Sequence, residues 1–193
     1  MTDSTTDAVD AIAAQWRRER PDLDLEAMAV LGRLARLEAV ARREVEAVFT
    51  AHGLQRGEFD VLAALRRAGD PFELNPSVLA DTLMLSRAGM TGRLDRLESA
   101  GLVRRIADAA DRRAIRVALT EAGRTLIDTV VTAHTANETR LLAVLSAADR
   151  RELDRIVRIL LTGLESDTPD PGLVAGTMGV ARCSGPGLGP VIP

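Results

Sequence analysis

Apolar residues recur at intervals of three and four along most of this chain, and the interval changes to two between residues 102 and 119. The longer intervals predict amphipathic helices, whereas alternation predicts a strand. Ile115, Val117 and Leu119 alternate with Ala114, Arg116 and Ala118, and Leu102–Ala107 is the expected partner strand. Helices are predicted over residues 8–19, 25–51, 87–99 and 121–145, around Phe59–Leu65, after Asn75-Pro76, and from the capping pattern Ser146–Asp149 through Leu164.

The composition also favours a mainly helical fold. Aromatic residues make up 2% of the chain and tyrosine is absent, which is unlike the strands of a β-sandwich or barrel. The sequence has no run of 18 uncharged apolar residues that would predict a membrane span. The polar N-terminus does not resemble a secretory signal. We therefore expect a cytoplasmic protein with no membrane partner.

The residue patterns of enzymes and metal sites do not occur in the sequence. Its one cysteine, Cys183, and its two histidines stand far apart, which gives no zinc site of standard spacing. Neither a Gly-rich phosphate loop nor a Gly-x-Ser-x-Gly motif is found. We therefore expect a protein that is not an enzyme and that needs no cofactor.

The basic residues are all arginines, and they are unevenly distributed. Residues 86–116 hold eight arginines and four acidic residues, a net charge of +4, while the remainder of the chain carries −7. A basic patch on an acidic body is typical of a protein that binds a polyanion with one face. The alternative is a solvated surface with incidental arginines.

The region from Asn75 to Leu119 has the order helix, short break, helix, β-hairpin. Asn75 and Ser86 are predicted N-caps of the two helices. Met90, Leu94 and Leu97 define the buried side of the second helix. This order predicts a winged helix-turn-helix, in which the second helix enters the DNA major groove.

The predicted DNA contacts follow from that geometry. The side of helix 87–99 opposite Met90 is rich in Ala and Gly, which let a backbone approach DNA closely. An arginine at the hairpin tip can enter a minor groove, and a nearby Asp can orient it. The alternatives are packing of the small residues against another helix and an ordinary solvated turn. The predicted contacts are Ser86, Arg87, Ala88, Gly89, Thr91, Gly92, Arg96, Asp111, Arg112 and Arg113.

Two segments resemble the MarR family of bacterial transcription regulators. They are Ser86–Arg105, SRAGMTGRLDRLESAGLVRR, and Asp111–Gly123, DRRAIRVALTEAG. The resemblance covers about residues 25–165 and includes Asp111 and Arg113 of the wing, Leu119-Thr120 and Gly123. It implies a homodimer built by N- and C-terminal helices of both chains. That dimer would bind double-stranded DNA at a palindromic operator and release it on ligand binding.

A narrower resemblance concerns the urate-responsive branch of this family. That branch has a Trp on an extra N-terminal helix, an Asp before the helix-turn-helix, and arginines on the recognition helix and first wing strand. Trp16, Asp60, Arg93 and Arg105 match these descriptions. Urate is a flat anion on which Trp can stack and with which Arg can pair. The alternatives are that the chain binds another aromatic anion or that it binds no small ligand. His134 is interpreted as an interface histidine.

We therefore expect a mainly α fold, a winged helix-turn-helix with a two-stranded β-wing and dimerisation helices at both ends. Its function would be that of a ligand-responsive repressor. The alternative is a non-sensing architectural or protein-interaction module on the same fold. The expected segments are a disordered 1–7, N-terminal helices that also form a pocket wall (8–56), the DNA-binding domain (57–120), C-terminal dimerisation helices (121–165) and a disordered tail (166–193).

Overall fold

The structure is a computed structural model, and it describes residues 6–84, 86–107 and 115–166, with the side chain of Arg87 excepted. The chain divides into two compact units, Met1–Ala143 and Val144–Pro193. The wing tip at residues 108–114 and the tail after residue 166 lie outside the described residues, as do residues 1–5.

The described residues are mainly helical, as predicted. The helices occupy the segments that the apolar spacing indicated, and the strands are short. The helices are α1 (Ala8–Glu19), α2 (Glu26–Ala51), α3 (Arg56–Arg67), α4 (Pro76–Thr82), α5 (Arg87–Ser99), α6 (Glu121–Leu141) and α7 (Ala147–Ser166), and the strands are β1 (Glu73–Leu74), β2 (Val103–Ala107) and β3 (Ile115–Leu119).

The strands form an antiparallel sheet in the order β1-β3-β2. The predicted hairpin of β2 and β3 is confirmed, with Val103 opposite Leu119 and Ala107 opposite Ile115. The two-residue strand β1 was not predicted, because a segment this short has no period to detect. It pairs with β3 through Glu73 and Ala118.

The two predicted N-caps, Asn75 and Ser86, both stand at the start of their helices, and Thr120 caps α6. Ser86 accepts a hydrogen bond from the N–H of Gly89, and Thr120 accepts one from Gly123. Ser146 forms a reciprocal pair with Asp149, the arrangement of a capping box. Asn75 occupies the predicted N-cap position of α4, with Pro76 at the start of the helix, but its side chain forms no capping hydrogen bond.

The core of the first unit contains the predicted buried side of α5. Met90, Leu94 and Leu97 are all buried, together with Leu62 of α3 and Ile127 of α6. They belong to one cluster that joins α2, α3, α4, α5, α6 and the sheet. Helix α5 is therefore anchored in the core of the first unit.

Two details of the predicted patterns were wrong. Helix α6 ends at Leu141, and Val144 is 89% exposed, so the apolar stripe stops before the predicted residue 145. In β3, Ala118 is buried and Ile115 is half exposed, which breaks the expected alternation. The reason is that β3 is the central strand, since Ala118 lies between two partner strands whereas Ile115 lies at the end near the wing tip.

Within the described residues, no helix is long and apolar enough to cross a membrane.

Candidate nucleic-acid interface and adjoining cavity

Helices α4 and α5 form the predicted helix-turn-helix. The chain turns between them at Met84, which has φ 50° and is largely exposed. Met90, Leu94 and Leu97 fix α5 to the core, so the opposite side of the helix faces outward. Of the predicted DNA contacts, Gly92 is half-buried and the following are exposed: Ser86, Ala88, Gly89, Thr91 and Arg96.

The remaining predicted contacts are on the wing and at the start of α5. Asp111, Arg112 and Arg113 lie outside the described residues, as does the side chain of Arg87. The wing strands themselves carry exposed Arg104 on β2, and β2 follows α5 after the left-handed Gly101. The described part of the candidate interface is therefore the outward side of α5 with the base of the wing.

Arg96 forms an ion pair that the sequence analysis did not predict. Its Nε donates a hydrogen bond to Oε1 of Glu58 on α3 at 2.9 Å. The Arg96 side chain is 52% exposed, whereas that of Glu58 is 11% exposed. The second carboxylate oxygen of Glu58 accepts the N–H of Gln55 at 2.8 Å. Both carboxylate oxygens of Glu58 are therefore engaged, and α3 holds the inner side of the Arg96 guanidinium.

The pKa of Glu58 lies below its ordinary value. Burial alone would raise this pKa, but the Gln55 N–H and the Arg96 guanidinium outweigh it by stabilising the ionised carboxylate. Arg93 adds a further favourable charge. Glu58 is thus an anion at neutral pH. The sequence signal for it was Gln55 followed three residues later by Glu58, a pattern close to a capping box.

Arg93 lies against the first turn of α3. A Cβ atom built on Gly57 would lie 2.6 Å from Nε of Arg93, so the guanidinium occupies the space that a larger residue would fill. The charge of Arg93 acts on both Glu58 and Asp60. Two arginines one helical turn apart on α5 thus contact adjacent residues of α3.

A cavity of about 250 Å³ opens between α2, α3 and α6. Phe49 and Phe59 stack in its wall with ring centroids 4.2 Å apart, and His134 lies 5.2 Å from each ring. The charged lining includes Arg56 and Asp60. The lining also includes Arg42 and two further carboxylates, Glu38 and Glu138, so the two arginines are the groups that could bind a small aromatic anion.

Comparison with known proteins decides the family. The sequence matches the family model described as MarR family over residues 52–114. It is 43% identical over 145 residues to the HTH-type transcriptional regulator PecS of Dickeya dadantii, covering 75% of this chain and 87% of PecS. The chain belongs to the MarR family. It is a DNA-binding transcription regulator of the helix-turn-helix type.

Other MarR relatives support the same assignment. The repressor Rv2887 of Mycobacterium tuberculosis is 33% identical over 127 residues, which are 66% of this chain and 89% of Rv2887. The crystal structure of Rv2887 with p-aminosalicylic acid has a TM-score of 0.52 and 32% identity over 66% of this chain and 94% of that one. The MarR-family regulator AbsC of Streptomyces coelicolor has a TM-score of 0.64 and 26% identity over 75% and 97%. The fold is thus confirmed as a MarR winged helix.

The structure brings together two of the four residues predicted for a urate-type site in this MarR chain. Asp60 lines the cavity, and Arg93 is close enough to act on its charge. Trp16 lies on α1, is 42% exposed and does not line the cavity. Arg105 pairs instead with Asp95 at 2.6 Å and with Glu98, both on α5. These contacts raise the pKa of Arg105, chiefly through Asp95.

The cavity wall contains two residues whose role the sequence analysis did not predict. Arg56 lines the cavity, and among the described residues it forms no ion pair. His134 contacts both phenylalanines, and its Nε2 lies 3.3 Å from Glu138. Its Nδ1 is buried without a hydrogen-bond partner in the described structure. His134 was interpreted as an interface histidine, and the structure places it in the cavity wall.

Asp60 gives a prediction for stability. Burial raises its pKa, and Arg56, Arg93, Arg67 and His134 offset only part of that effect. A carboxyl group whose pKa is raised in the folded state stabilises the fold fully when the pH is below its ordinary pKa of 3.8. This contribution is lost as the pH rises through the folded-state pKa. Asp60→Asn should therefore raise Tm at neutral pH by about 1–3 °C. Thermal scans from neutral to acidic pH should show the gap closing, and a constant gap would contradict this assignment.

Proposed function

We propose that this MarR-family chain is a homodimeric repressor that binds a palindromic operator and releases it on binding a small aromatic anion, with urate as the first candidate. The observation that carries the proposal is the arrangement around α3. One side of α3 lines the aromatic cavity, and its first turn contacts the arginines of α5. A ligand in the cavity and DNA on α5 would thus act on the same helix.

The DNA contacts that we propose are those of the outward side of α5 and the wing tip. Ala88, Gly89 and Gly92 give the backbone close access to the major groove. Arg96 is half exposed on that side, where it can reach a guanine edge or a phosphate. Ser86, at the N-terminus of the helix, and Arg87 and Thr91 would contact phosphates. Asp111, Arg112 and Arg113 are proposed from the sequence alone.

The dimer is supported by apolar side chains that each compact unit leaves exposed. In the first unit, α2 exposes Val30, Leu31, Leu37 and Val40. The helix of the second unit contains no buried residue and exposes Ile156, Ile159, Leu160, Leu161 and Leu164. Surfaces of this kind are typical of an interface. A second copy of the chain would cover them and would present two α5 helices to the two halves of a palindrome.

The ligand class is supported by the cavity. A volume of about 250 Å³ lies at or below the lower end of the range for drug-sized ligands, so one or two fused rings would fill it. Phe49 and Phe59 contribute apolar surface to the wall, and Arg56 offers donors to an anionic group. The relative Rv2887 binds p-aminosalicylic acid, an aromatic carboxylate. Of the four residues predicted for a urate-type site, Asp60 and Arg93 remain part of this proposal. Trp16 and Arg105 do not line the cavity and are not part of it.

Arg56 provides a direct test of the cavity. Arg56→Gln should weaken binding of urate or salicylate at least tenfold, because a charge-assisted hydrogen bond contributes roughly 1.5–3 kcal/mol. Isothermal titration calorimetry measures this change. Arg43→Gln is the matched control, since Arg43 is an exposed arginine of α2 that does not line the cavity. Equal affinities of the Arg56 variant and the parent protein would place the ligand elsewhere.

The regulatory proposal is tested with labelled DNA from the region upstream of the gene. The protein should protect a symmetric footprint and bind that fragment at least a hundredfold more tightly than a scrambled duplex of equal length. Analytical ultracentrifugation should give a dimer. A preference for the upstream fragment that no aromatic anion reduces would favour the non-sensing module. No preference between the two duplexes would contradict the operator proposal.

A further inference from the structure

The first turn of α3 contacts the recognition helix at two adjacent points. Gly57 lies beneath the guanidinium of Arg93, and Glu58 pairs with Arg96. Arg93 and Arg96 are three residues apart, so they lie on neighbouring turns of α5. These contacts position two positively charged side chains of the helix that we propose reads DNA.

Gly57 positions Arg93 by having no side chain. A Cβ there would lie 2.6 Å from Nε of Arg93, which is much closer than two such atoms can approach. The atoms in the way belong to the end of a flexible side chain and not to backbone. An alanine would therefore displace the guanidinium while α3 stays intact.

Glu58 positions Arg96 through a buried carboxylate. Oε1 accepts the Nε–H of Arg96, and Oε2 is engaged by the N–H of Gln55, so the carboxylate cannot rotate without losing a hydrogen bond. Half of the Arg96 side chain remains exposed, on the side of α5 that carries Ala88 and Gly92. An arginine fixed at Nε can present its two terminal nitrogens in one orientation.

We propose that Gly57 and Glu58 are positioning residues, which fix Arg93 and Arg96 on α5 and thereby set the discrimination between operator and other DNA. This inference rests on the proposal that α5 contacts the operator. Base edges are read by donors in a defined geometry, whereas phosphates attract any nearby positive charge. A mobile arginine would keep its contribution to non-specific binding and lose its contribution to specificity.

The test compares Glu58→Gln and Gly57→Ala with the parent protein on two duplexes, the operator fragment and its scrambled form, at two salt concentrations. Glu58→Gln should lose about tenfold in affinity for the operator, the lower range of what a well-placed Arg–base contact discriminates. Its affinity for the scrambled duplex and its salt dependence should stay within twofold of the parent. Gly57→Ala should reduce operator preference in the same direction with an unchanged or higher Tm.

Matched controls come from α7. Glu152→Gln removes the charge from an exposed pair with Arg155, and Gly163→Ala adds a Cβ where no atom lies within 4 Å. Neither control should change the ratio of the two DNA affinities. An unchanged ratio in both α3 variants would overturn the inference. Parallel losses on both duplexes with a lowered Tm would also overturn it, because they indicate a merely structural contact.

A readout without DNA separates this inference from the proposed function. In a nitrogen–proton correlation spectrum of the parent protein, the Nε–H of Arg96 should exchange slowly, and Glu58→Gln should abolish that protection. Rapid exchange in the parent would contradict the positioning directly. A protected Nε–H in a parent protein that does not prefer the operator would instead contradict the DNA-reading proposal.

Discussion

Gly123→Ala is expected to lower the free energy of unfolding by about 3 kcal/mol or more, the largest stability effect that we predict for a one-carbon change. A Cβ on Gly123 would lie 2.9 Å from the carbonyl carbon of Leu102 and closer still to its oxygen. These are backbone atoms, so they cannot move aside as a side chain would. The same carbonyl accepts the N–H of Thr120, which fixes it at the junction of the wing and α6.

Urea unfolding followed by circular dichroism measures this effect. Gly163→Ala is the matched control, because its Cβ would meet no atom within 4 Å. In a helix interior that change should be neutral or stabilising by up to about 1 kcal/mol. Equal stabilities of the Gly123 variant and the parent would show that α6 and Leu102 are not in contact as described.

Gly92→Glu is expected to weaken operator binding about a hundredfold, which corresponds to about 2.7 kcal/mol. Gly92 lies on the side of α5 opposite Met90, beside Arg96, and its added Cβ would meet only the tip of Arg96 at 3.9 Å. The fold should therefore tolerate a glutamate. On DNA, the new side chain would bring a negative charge and extra bulk against the phosphates.

Fluorescence anisotropy with the operator fragment measures this loss, and thermal unfolding checks the fold. Ala122→Glu is the control, since it adds the same charge at an exposed position in the first turn of α6, where a carboxylate is favourable. Near-parental DNA binding by the Gly92 variant would show that the outward side of α5 does not face DNA.

Much of the fold could be predicted from the sequence because its helices are strongly periodic. The spacing of Met90, Leu94 and Leu97 identified the buried side of α5, and the buried state of all three confirms it. Strand β1 was not predicted, because its two residues form a strand only by pairing with β3 and show no pattern of their own. The exposure of Val144 was also missed, since a repeating pattern does not show where its helix ends.

The candidate site was less predictable, because it depends on which side chains meet across elements. The sequence placed Arg105 with a ligand, yet Asp95 and Glu98 lie within its reach once β2 folds back beside α5. The pairing of Glu58 with Arg96 spans 38 residues and leaves no local signal beyond the Gln55–Glu58 pattern. The cavity residues Arg56 and His134 come from α3 and α6, and their proximity follows only from the packing of those helices.

The most direct test of the central claim is a titration of labelled upstream DNA at fixed salt, with and without a saturating aromatic anion, urate first and salicylate second. We expect specific binding without ligand and an operator affinity at least tenfold weaker with one of these anions. The scrambled duplex should show no such change. An operator affinity that neither anion alters, although calorimetry shows one of them bound in the cavity, would contradict the coupling between the cavity and the recognition helix.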